Sequence, residues 1–240
     1  MAEMAIAVLT DFHYIGTAKH TCGVAVRQTG LAPQLLEQAR RAVQEADVVV
    51  LGGDLTDNGM AEGALEDLQQ LRKLVQQWHK PVLTVRGNHD APPAEFEAVM
   101  GKQTTVLPVN GYQIIGFSDR YQPGLPGQRD WAAMERIFAQ AAPDVPVITV
   151  QHSPLFPRIQ DEYPYNLADA DAIGRFYACH GVVLSISGHL HRGNPLVQCG
   201  GVSYVTCPAL CEPPFPYTMI YLQDEAVSSV TYGCFALPTE

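Results

Sequence analysis

Residues 48–54 read VVVLGGD, in which four apolar residues precede two glycines and an aspartate. An uninterrupted short run of Val and Leu is typical of a strand that is buried on both faces of a sheet. Gly52 and Gly53 permit a tight turn and a close approach of other backbone. The stretch therefore predicts a core strand over Val48–Leu51 that delivers the Asp54 carboxylate to one edge of a sheet.

The same arrangement, an apolar run that ends close to a polar side chain, occurs four more times. These runs predict strands over Ala5–Thr10, Val82–Val85, Val145–Val150 and Val182–Ile186. The polar side chains that follow them are Asp11 and His13; Asn88, His89 and Asp90; His152; and His189 and His191. Ligands of open α/β sheets bind in the loops beyond the carboxyl ends of the strands, so we expect these groups to converge on one site.

Helical periodicity separates most of these strands. The spacing of the apolar residues predicts helices over Pro33–Ala46, Ala61–Trp78, Gln128–Ala141 and Leu167–Ala178. Strands that alternate with helices imply a largely parallel sheet with helices on its outer face.

After residue 188 the pattern changes to short runs broken by Gly and Pro. The runs predict antiparallel strands, and with them a second sheet, over Pro195–Cys199, Val202–Thr206, Tyr217–Leu222 and Ala226–Cys234. The segment Pro208–Pro216 (PALCEPPFP) predicts a rigid surface loop. Two mixed sheets that pack face to face between helices make a four-layered αββα sandwich, which is the α/β fold that we expect.

Length and charge limit the partners of the chain. We expect its 240 residues to fold as one domain, 1–240. A formal charge of -10 with only 15 Lys and Arg argues against binding of nucleic acid duplexes. The first ten residues lack the cationic region of a secretory signal, and no apolar run approaches a membrane span, so we expect a cytoplasmic protein without membrane contacts. Six irregularly spaced cysteines predict free thiols.

The converging side chains form a set that suits metal ions. The set combines carboxylates, an amide and imidazoles without a thiolate, which favours Mn, Fe, Zn, Co or Ni. One residue separates Asp11 from His13, as it does His189 from His191, and in an extended segment this spacing directs both side chains to one face. A shared carboxylate holds two neighbouring ions most economically, and Asp54, from a central strand, is the bridge that we predict.

Together the motifs resemble the ordered motif set of calcineurin-like metallophosphoesterases. They are Asp11-Phe12-His13, Gly53-Asp54, Gly87-Asn88-His89-Asp90, His152 and Gly188-His189-Leu190-His191. The match spans residues 11–191, and it is specific because order, separation and strand-end context must all agree. The resemblance implies a metal-dependent phosphoric ester hydrolase with two divalent or mixed-valence metal ions, and the αββα sandwich of that family agrees with the fold predicted above.

Carried over position by position, the resemblance implies two ligand sets that share Asp54. One metal ion is held by Asp11, His13, Asp54 and His191, and the other by Asp54, Asn88, His152 and His189. His89 is then not a ligand but lies beside the scissile phosphate, where it stabilises charge or protonates the leaving oxygen. Asp90 orients the His89 imidazole through a hydrogen bond, and a metal-bridging hydroxide attacks phosphorus in line.

Within the family, the compact length, residues 53–59 (GDLTDNG) and the GNHD sequence are most similar to class III cyclic nucleotide phosphodiesterases and related small phosphohydrolases. Protein serine/threonine phosphatases carry an arginine where Asn58 stands, and purple acid phosphatases need a tyrosine ligand shortly after Gly53-Asp54 that is not present here. Residues 151–154 (QHSP) depart from the cyclic phosphodiesterase pattern, in which a more His-rich segment is common.

We expect a small phosphodiester of the cyclic nucleotide kind as the substrate. A phosphomonoester or a nucleotide pyrophosphate stays open on the same site, and a noncatalytic scaffold that kept the fold is the alternative of another class. The resemblance also implies a homodimer, for which Pro208–Pro216 is a candidate contact.

Other polar and aromatic residues lie outside the motifs. We interpret the remaining histidines and one arginine as surface or locally bonded groups: His20, His79, His180 and Arg120. His20 could approach the mouth of the site from the loop over residues 14–30. Asp57 is interpreted either as an acidic residue of a turn or as one that contacts a metal ligand from behind. Four aromatic residues are interpreted as packing groups rather than a base-binding pocket: Tyr163, Tyr165, Phe215 and Tyr217.

Overall fold

The computed structural model describes residues 3–236, so both ends of the predicted 1–240 domain lie outside the described range. The strands in this range are β1 (Glu3–Leu9), β2 (Val48–Leu51), β3 (Val82–Thr84), β4 (Thr105–Val109), β5 (Tyr112–Gly116), β6 (Val147–Val150), β7 (Val182–Ser187), β8 (Asn194–Cys199), β9 (Val202–Thr206), β10 (Pro216–Gln223) and β11 (Ala226–Cys234). The helices are α1 (Ala32–Ala42), continued by a 3-10 turn over Val43–Glu45, α2 (Ala64–Gln76), α3 (Pro93–Met100), α4 (Trp131–Gln140) and α5 (Ala170–Ala178). Within the described range no helix is both long and apolar enough to span a bilayer.

Two mixed sheets carry the fold. The first has the strand order β11-β10-β1-β2-β3, in which β1, β2 and β3 run parallel and β10 is antiparallel to β1. The second has the order β4-β5-β6-β7-β9-β8, with β5, β6, β7 and β9 parallel and antiparallel strands at both edges. Each sheet therefore has a parallel centre, and the carboxyl ends of its central strands lie along one edge.

The two sheets face each other across an apolar core. Ile6 and Val8 of β1 lie in this inner core together with Ile148 of β6 and Leu184 of β7. All four side chains are at most 1% exposed. Removal of such branched side chains from water is the main term that holds the sheets together.

Helices cover the outer face of each sheet. Ala7 and Leu9 alternate with the inner residues of β1 and pack with Leu36 of α1 in a second core. On the outside of the second sheet, Val182 packs with Ile173 of α5 in a third core. Three cores between four layers confirm the predicted αββα sandwich.

The strands after residue 188 do not form a sheet of their own, and this part of the prediction is wrong. Strands β10 and β11 join the first sheet beside β1, whereas β8 and β9 extend the second. Strand β9 is also parallel to β7, with Leu184 opposite Ser203. The local pattern of apolar residues determines that a segment is extended, but its pairing partner depends on contacts far away in sequence.

Three elements between residues 93 and 116 were not predicted from the sequence. Helix α3 buries only Phe96 and Val99, so it lacks the broad apolar stripe that identifies a helix. The hairpin of β4 and β5 turns at Asn110 and Gly111, and β4 carries Pro108, which weakens the strand pattern.

The segment 208–216 is only in part the surface loop that was predicted, because Pro213 and Pro214 are exposed but the residues before them are not. Leu210 and Cys211 are at most 1% exposed. Their backbone N–H groups donate to the carbonyls of Thr10 and Asp11, at 2.9 and 3.1 Å. This part of the segment is buried because it satisfies backbone groups beyond the end of β1, next to the predicted ligand Asp11.

Candidate metal centre

The loops beyond the carboxyl ends of the parallel strands meet where the two sheets adjoin. His13, which follows β1 in the first sheet, has its Nε2 atom 3.2 Å from Nε2 of His191, which follows β7 in the second. Nε2 of His152, after β6, is 3.2 Å from Oδ2 of Asp54, after β2. The expected convergence of these side chains is therefore present in the structure.

One cluster of donor atoms, the first ligand group, consists of Asp11, His13 and His191. Their donor atoms all lie within 4.8 Å of one another. Oδ1 of Asp11 is 3.4 Å from Nε2 of His191 and 4.0 Å from Nε2 of His13. A carboxylate and two imidazoles at such distances can hold one metal ion.

A second cluster of donor atoms, the second ligand group, consists of Asp54, His152 and His189 and meets the same 4.8 Å limit. Oδ2 of Asp54 also lies 3.5 Å from Nε2 of His13 in the first ligand group. One carboxylate oxygen is thus adjacent to an imidazole of each group, which is the position that a bridging ligand requires.

Two donor atoms of this centre are buried without a hydrogen-bond partner among residues 3–236. They are Oδ1 of Asn88 and Nε2 of His152. Buried polar atoms in folded proteins nearly always have a partner, because an unmet one costs about 1–3 kcal/mol. A metal ion bound by both atoms would satisfy them, so the donor set fits the predicted cofactor.

The argument from residue spacing assumed an extended backbone at the predicted ligands. The structure shows a different conformation at four of them. The φ angles of Asp11, His13, Asp54 and His189 are 55°, 44°, 49° and 68°. Such left-handed conformations cost a non-glycine residue about 1–3 kcal/mol and are concentrated at functional sites. Hydrogen bonds from Asp11 N to Gly53 O and from His13 N to Asp54 O, both 2.9 Å, hold the strained loops.

Gly53 occupies a position that only glycine can fill. Its φ angle is 96°, and a Cβ atom there would lie 2.7 Å from Nδ1 of His152 and 2.8 Å from the backbone nitrogen of Gly87. The absence of a side chain allows the loops after β2, β3 and β6 to meet at the centre.

Behind the centre, each of three imidazoles donates its other N–H to an oxygen. Nδ1 of His13 contacts Asp57 at 3.0 Å and Nδ1 of His191 contacts Glu212 at 2.5 Å. Nδ1 of His152 contacts the carbonyl of Gly52 at 2.8 Å. In the neutral form of each imidazole, which is the form that binds a metal ion, these hydrogen bonds fix the tautomer so that the lone pair of Nε2 points toward the centre.

Two of the charged residues behind the first ligand group were missed by the sequence analysis. Glu212 belongs to the partly buried 208–216 segment. Arg27 donates from Nη1 to Asp57 at 3.1 Å, and its side chain is only 15% exposed. Arg27 lies in a stretch without regular structure, so no pattern of residues signalled its position. His20, with Nε2 2.9 Å from Asp57, does approach the site.

A comparison with models of known families matches residues 4–193 to "Calcineurin-like phosphoesterase". The chain belongs to this family. The chain is 28% identical to a cAMP/cGMP dual specificity phosphodiesterase of Mycobacterium tuberculosis, over 83% of this chain and 66% of that protein. It is 26% identical to a Synechococcus protein named a probable cyclic nucleotide phosphodiesterase, over 86% of this chain and 80% of that protein.

Solved structures agree with this family at the level of the fold. A dimetal phosphatase from Danio rerio superposes with a TM-score of 0.73 at 14% identity, covering 98% of this chain and 100% of that one. Calcineurin-like phosphoesterases use a dinuclear metal centre, and the two ligand groups are candidate positions for it. Family membership confirms the predicted class, a metal-dependent phosphoric ester hydrolase.

In this calcineurin-like phosphoesterase, His89 is not oriented by Asp90, which corrects that part of the expectation. Asp90 accepts hydrogen bonds from the backbone N–H groups of Thr56 and Gly87, both at 2.9 Å. Nδ1 of His89 instead donates to the carbonyl of Asp57 at 2.6 Å. Through these bonds Asp90 links the loops after β2 and β3. The expected contact with His89 is not formed, because residues adjacent in sequence need not have side chains that face each other.

Burial and neighbouring charge shift the pKa values of the buried groups in this phosphoesterase. Although burial opposes it, the charge of His152 holds the pKa of Asp54 well below its usual range. Burial, together with the negative charge of Asp54, raises the pKa of Asp90 to about 6. Burial also lowers the pKa of His189 to about 3, so this imidazole is neutral near pH 7 and able to bind a metal ion.

The residues that were interpreted as packing or surface groups divide into two classes. Phe215 is buried and Tyr217 stacks on Phe235 with ring centroids 4.7 Å apart, so both are packing groups as predicted. Tyr163 and Tyr165 instead lie beside the centre, with ring centroids 5.5 and 5.4 Å from that of His189. Three polar residues are exposed as expected: His79, Arg120 and His180.

Proposed function

We propose that this protein is a dinuclear metal-dependent phosphodiesterase that hydrolyses small diesters of the cyclic nucleotide kind. The observation that carries the proposal is the position of Asp54, whose Oδ2 atom is 3.5 Å from His13 and 3.2 Å from His152. A carboxylate between two sets of imidazoles is the arrangement that a pair of metal ions needs.

The ligands divide into two sets in this proposal. Asp11, His13, Asp54 and His191 hold one ion, and Asp54, Asn88, His152 and His189 hold the other. The unpartnered atoms of Asn88 and His152 support the second set. Donors of this kind suit Mn, Fe, Zn, Co or Ni. When bound, the ions neutralise the phosphoryl oxygens and lower the pKa of water enough to supply a nucleophile.

His89 is the proposed general acid. Its Nδ1–H group is held by the carbonyl of Asp57, and its backbone N–H donates to Oδ1 of Asp54 at 2.8 Å. The ring is therefore fixed relative to the bridging carboxylate. Nε2 of a protonated His89 then donates its proton to the leaving oxygen, while water takes the place of that oxygen on phosphorus.

The names of the two relatives support a cyclic diester as the substrate. Both names describe cyclic nucleotide phosphodiesterases. The chain spans 66% of the mycobacterial protein, slightly under two thirds of its length. A phosphomonoesterase or a nucleotide pyrophosphatase would use the same centre and differ only in the substrate bound beside it.

The proposal is tested with protein from which metal has been removed and to which Mn²⁺ has been restored. Turnover is measured for 3′,5′-cyclic AMP, bis(p-nitrophenyl) phosphate, p-nitrophenyl phosphate and ATP, with metal content measured by mass spectrometry. We expect metal-dependent turnover that is highest for the diesters. His89→Ala should keep the bound metal and lower kcat by roughly 10²–10⁴-fold, the usual contribution of a positioned acid.

Control variants and alternative outcomes separate the competing functions. His79→Ala, at an exposed histidine outside the motifs, should leave kcat unchanged. Preference for p-nitrophenyl phosphate or ATP would replace the diesterase with one of the two other hydrolases. Binding of two metal ions without turnover of any ester would identify a noncatalytic scaffold.

A further inference from the structure

A cavity of about 250 Å³ opens directly onto the candidate metal centre. Asn88, His89 and His189 form the wall on the side of the centre, and the opposite wall comes from two loops. One loop, between β5 and α4, contributes Tyr121, residues 122–125 and Gly127. The other, between β6 and α5, contributes Tyr163 and Pro164, and we call this space the tyrosine cavity.

The two loops contribute no charged side chain to the tyrosine cavity. None of its described lining residues is Lys, Arg, Asp or Glu. A second phosphate group against the two loops, on the side away from His89, would find no cation to pair with, and a charged group without a partner is costly to desolvate. The part of the substrate that enters the cavity is therefore uncharged, which argues against nucleoside polyphosphates.

Tyr163 presents an aromatic face beside the centre. Its ring centroid is 4.9 Å from that of Tyr165, and both rings are close to His189. Tyr163 is nevertheless 44% exposed. An aromatic side chain that is held by its neighbours yet open to solvent offers a platform on which a planar group can stack.

We propose that the tyrosine cavity binds the nucleobase of a cyclic nucleotide and that Tyr163 is the specificity-determining residue on which the base stacks. The inference rests on the proposed function, because it places the phosphodiester at the metal centre and the base next to His189. It names a substrate preference that the metal ligands alone cannot provide, since they contact only the phosphoryl group.

The test compares one substrate with a base and one without. KM and kcat are measured for 3′,5′-cyclic AMP and for glycerophosphoglycerol, a diester without an aromatic or a cationic group that could bind a tyrosine ring, in Mn²⁺-loaded protein. Tyr163→Ala should raise KM for cyclic AMP about tenfold, the order of one lost base stack, and leave KM for the second substrate within about twofold. Tyr163→Phe keeps the ring and should restore the KM of the unaltered chain.

A second readout does not depend on turnover of a nucleotide. Adenosine should inhibit hydrolysis of bis(p-nitrophenyl) phosphate competitively, and Tyr163→Ala should weaken this inhibition about tenfold while inhibition by inorganic phosphate is unchanged. Tyr232→Ala is the matched control, because Tyr232 is 49% exposed on β11 and does not line the cavity.

The outcomes distinguish this inference from the proposed function. If the unaltered chain hydrolyses diesters but Tyr163→Ala changes KM equally for both substrates, the stacking role is overturned and the diesterase stands. Absence of hydrolysis of every ester by the metal-loaded chain would instead overturn the proposed function, and the inference with it.

Discussion

The two ligand groups differ in what supports their imidazoles. In the first ligand group, His13 is backed by Asp57 and His191 by Glu212, so both imidazoles donate to carboxylates. In the second, His152 donates to a backbone carbonyl, and His189 is flanked by aromatic rings. One side of the centre is thus supported by charge and the other by neutral groups.

From this difference we expect the two proposed metal ions to be bound with different strengths. A carboxylate behind an imidazole makes the ligand nitrogen more basic, which strengthens its bond to a metal ion. A neutral carbonyl does so less. The second ligand group also borders the tyrosine cavity through His189. We therefore expect tight binding of one ion by the first ligand group and weaker, more exchangeable binding beside the substrate.

Replacement of the residue that joins the groups should have the largest effect. Asp54→Asn keeps an oxygen that can accept the N–H of His89 but removes the negative charge between the imidazoles. We expect metal binding to weaken at both groups and kcat to fall roughly 10³-fold or more, since charge stabilisation supplies most of phosphoryl-transfer catalysis. Isothermal titration with Mn²⁺ and diester turnover measure the two effects.

The control for this variant is Asp224→Asn, at an exposed acid of the turn between β10 and β11. It should bind two ions normally. If Asp54→Asn lost affinity at only one group, Asp54 would not be shared, and the two groups would have to be treated as independent sites.

Removal of the negative charge of Asp57, which contacts His13 from behind, should lower the metal affinity of the first ligand group alone. Asp57→Asn removes the carboxylate that His13 and Arg27 share, leaving the guanidinium without its counter-ion. Changes behind a metal ligand typically cost 10–100-fold in affinity, so we expect a loss of about 100-fold for the tight Mn²⁺ ion and little change for the weak one. Titration calorimetry measures both affinities, and Asp144→Asn, at an exposed acid, is the control. Equal weakening of both ions by Asp57→Asn would contradict the asymmetry between the two ligand groups.

The smallest effect is expected from Glu212→Gln. Gln can keep an oxygen near Nδ1 of His191, and Glu212 is 24% exposed, so solvent moderates the loss of charge. We expect the tight Mn²⁺ ion to bind about tenfold more weakly, at the lower end of effects for residues behind metal ligands. Glu225→Gln, in an exposed turn, is the control. An unchanged affinity would mean that charge behind His191 does not produce the difference between the groups.

Much of the fold was readable in the sequence because most of its strands and helices have a local pattern of apolar residues. The run Val48–Leu51 is a strand over the same residues in the structure. The convergence of the motif residues was also predicted, although for Asp11 and His13 the premise of an extended backbone was wrong. Their left-handed backbones depend on hydrogen bonds to the loop after β2, and spacing along the chain does not report such bonds.

The sequence by itself determined the types of candidate ligand and their places at strand ends, because apolar runs and the residues that follow them are local properties. Only the tertiary structure decided which residues stand behind those ligands. Arg27 and Glu212 reach the centre from irregular segments, and the partner of His89 proved to be a carbonyl of Asp57 rather than the neighbouring Asp90. Such contacts arise from chain packing between distant segments, for which no periodic pattern exists.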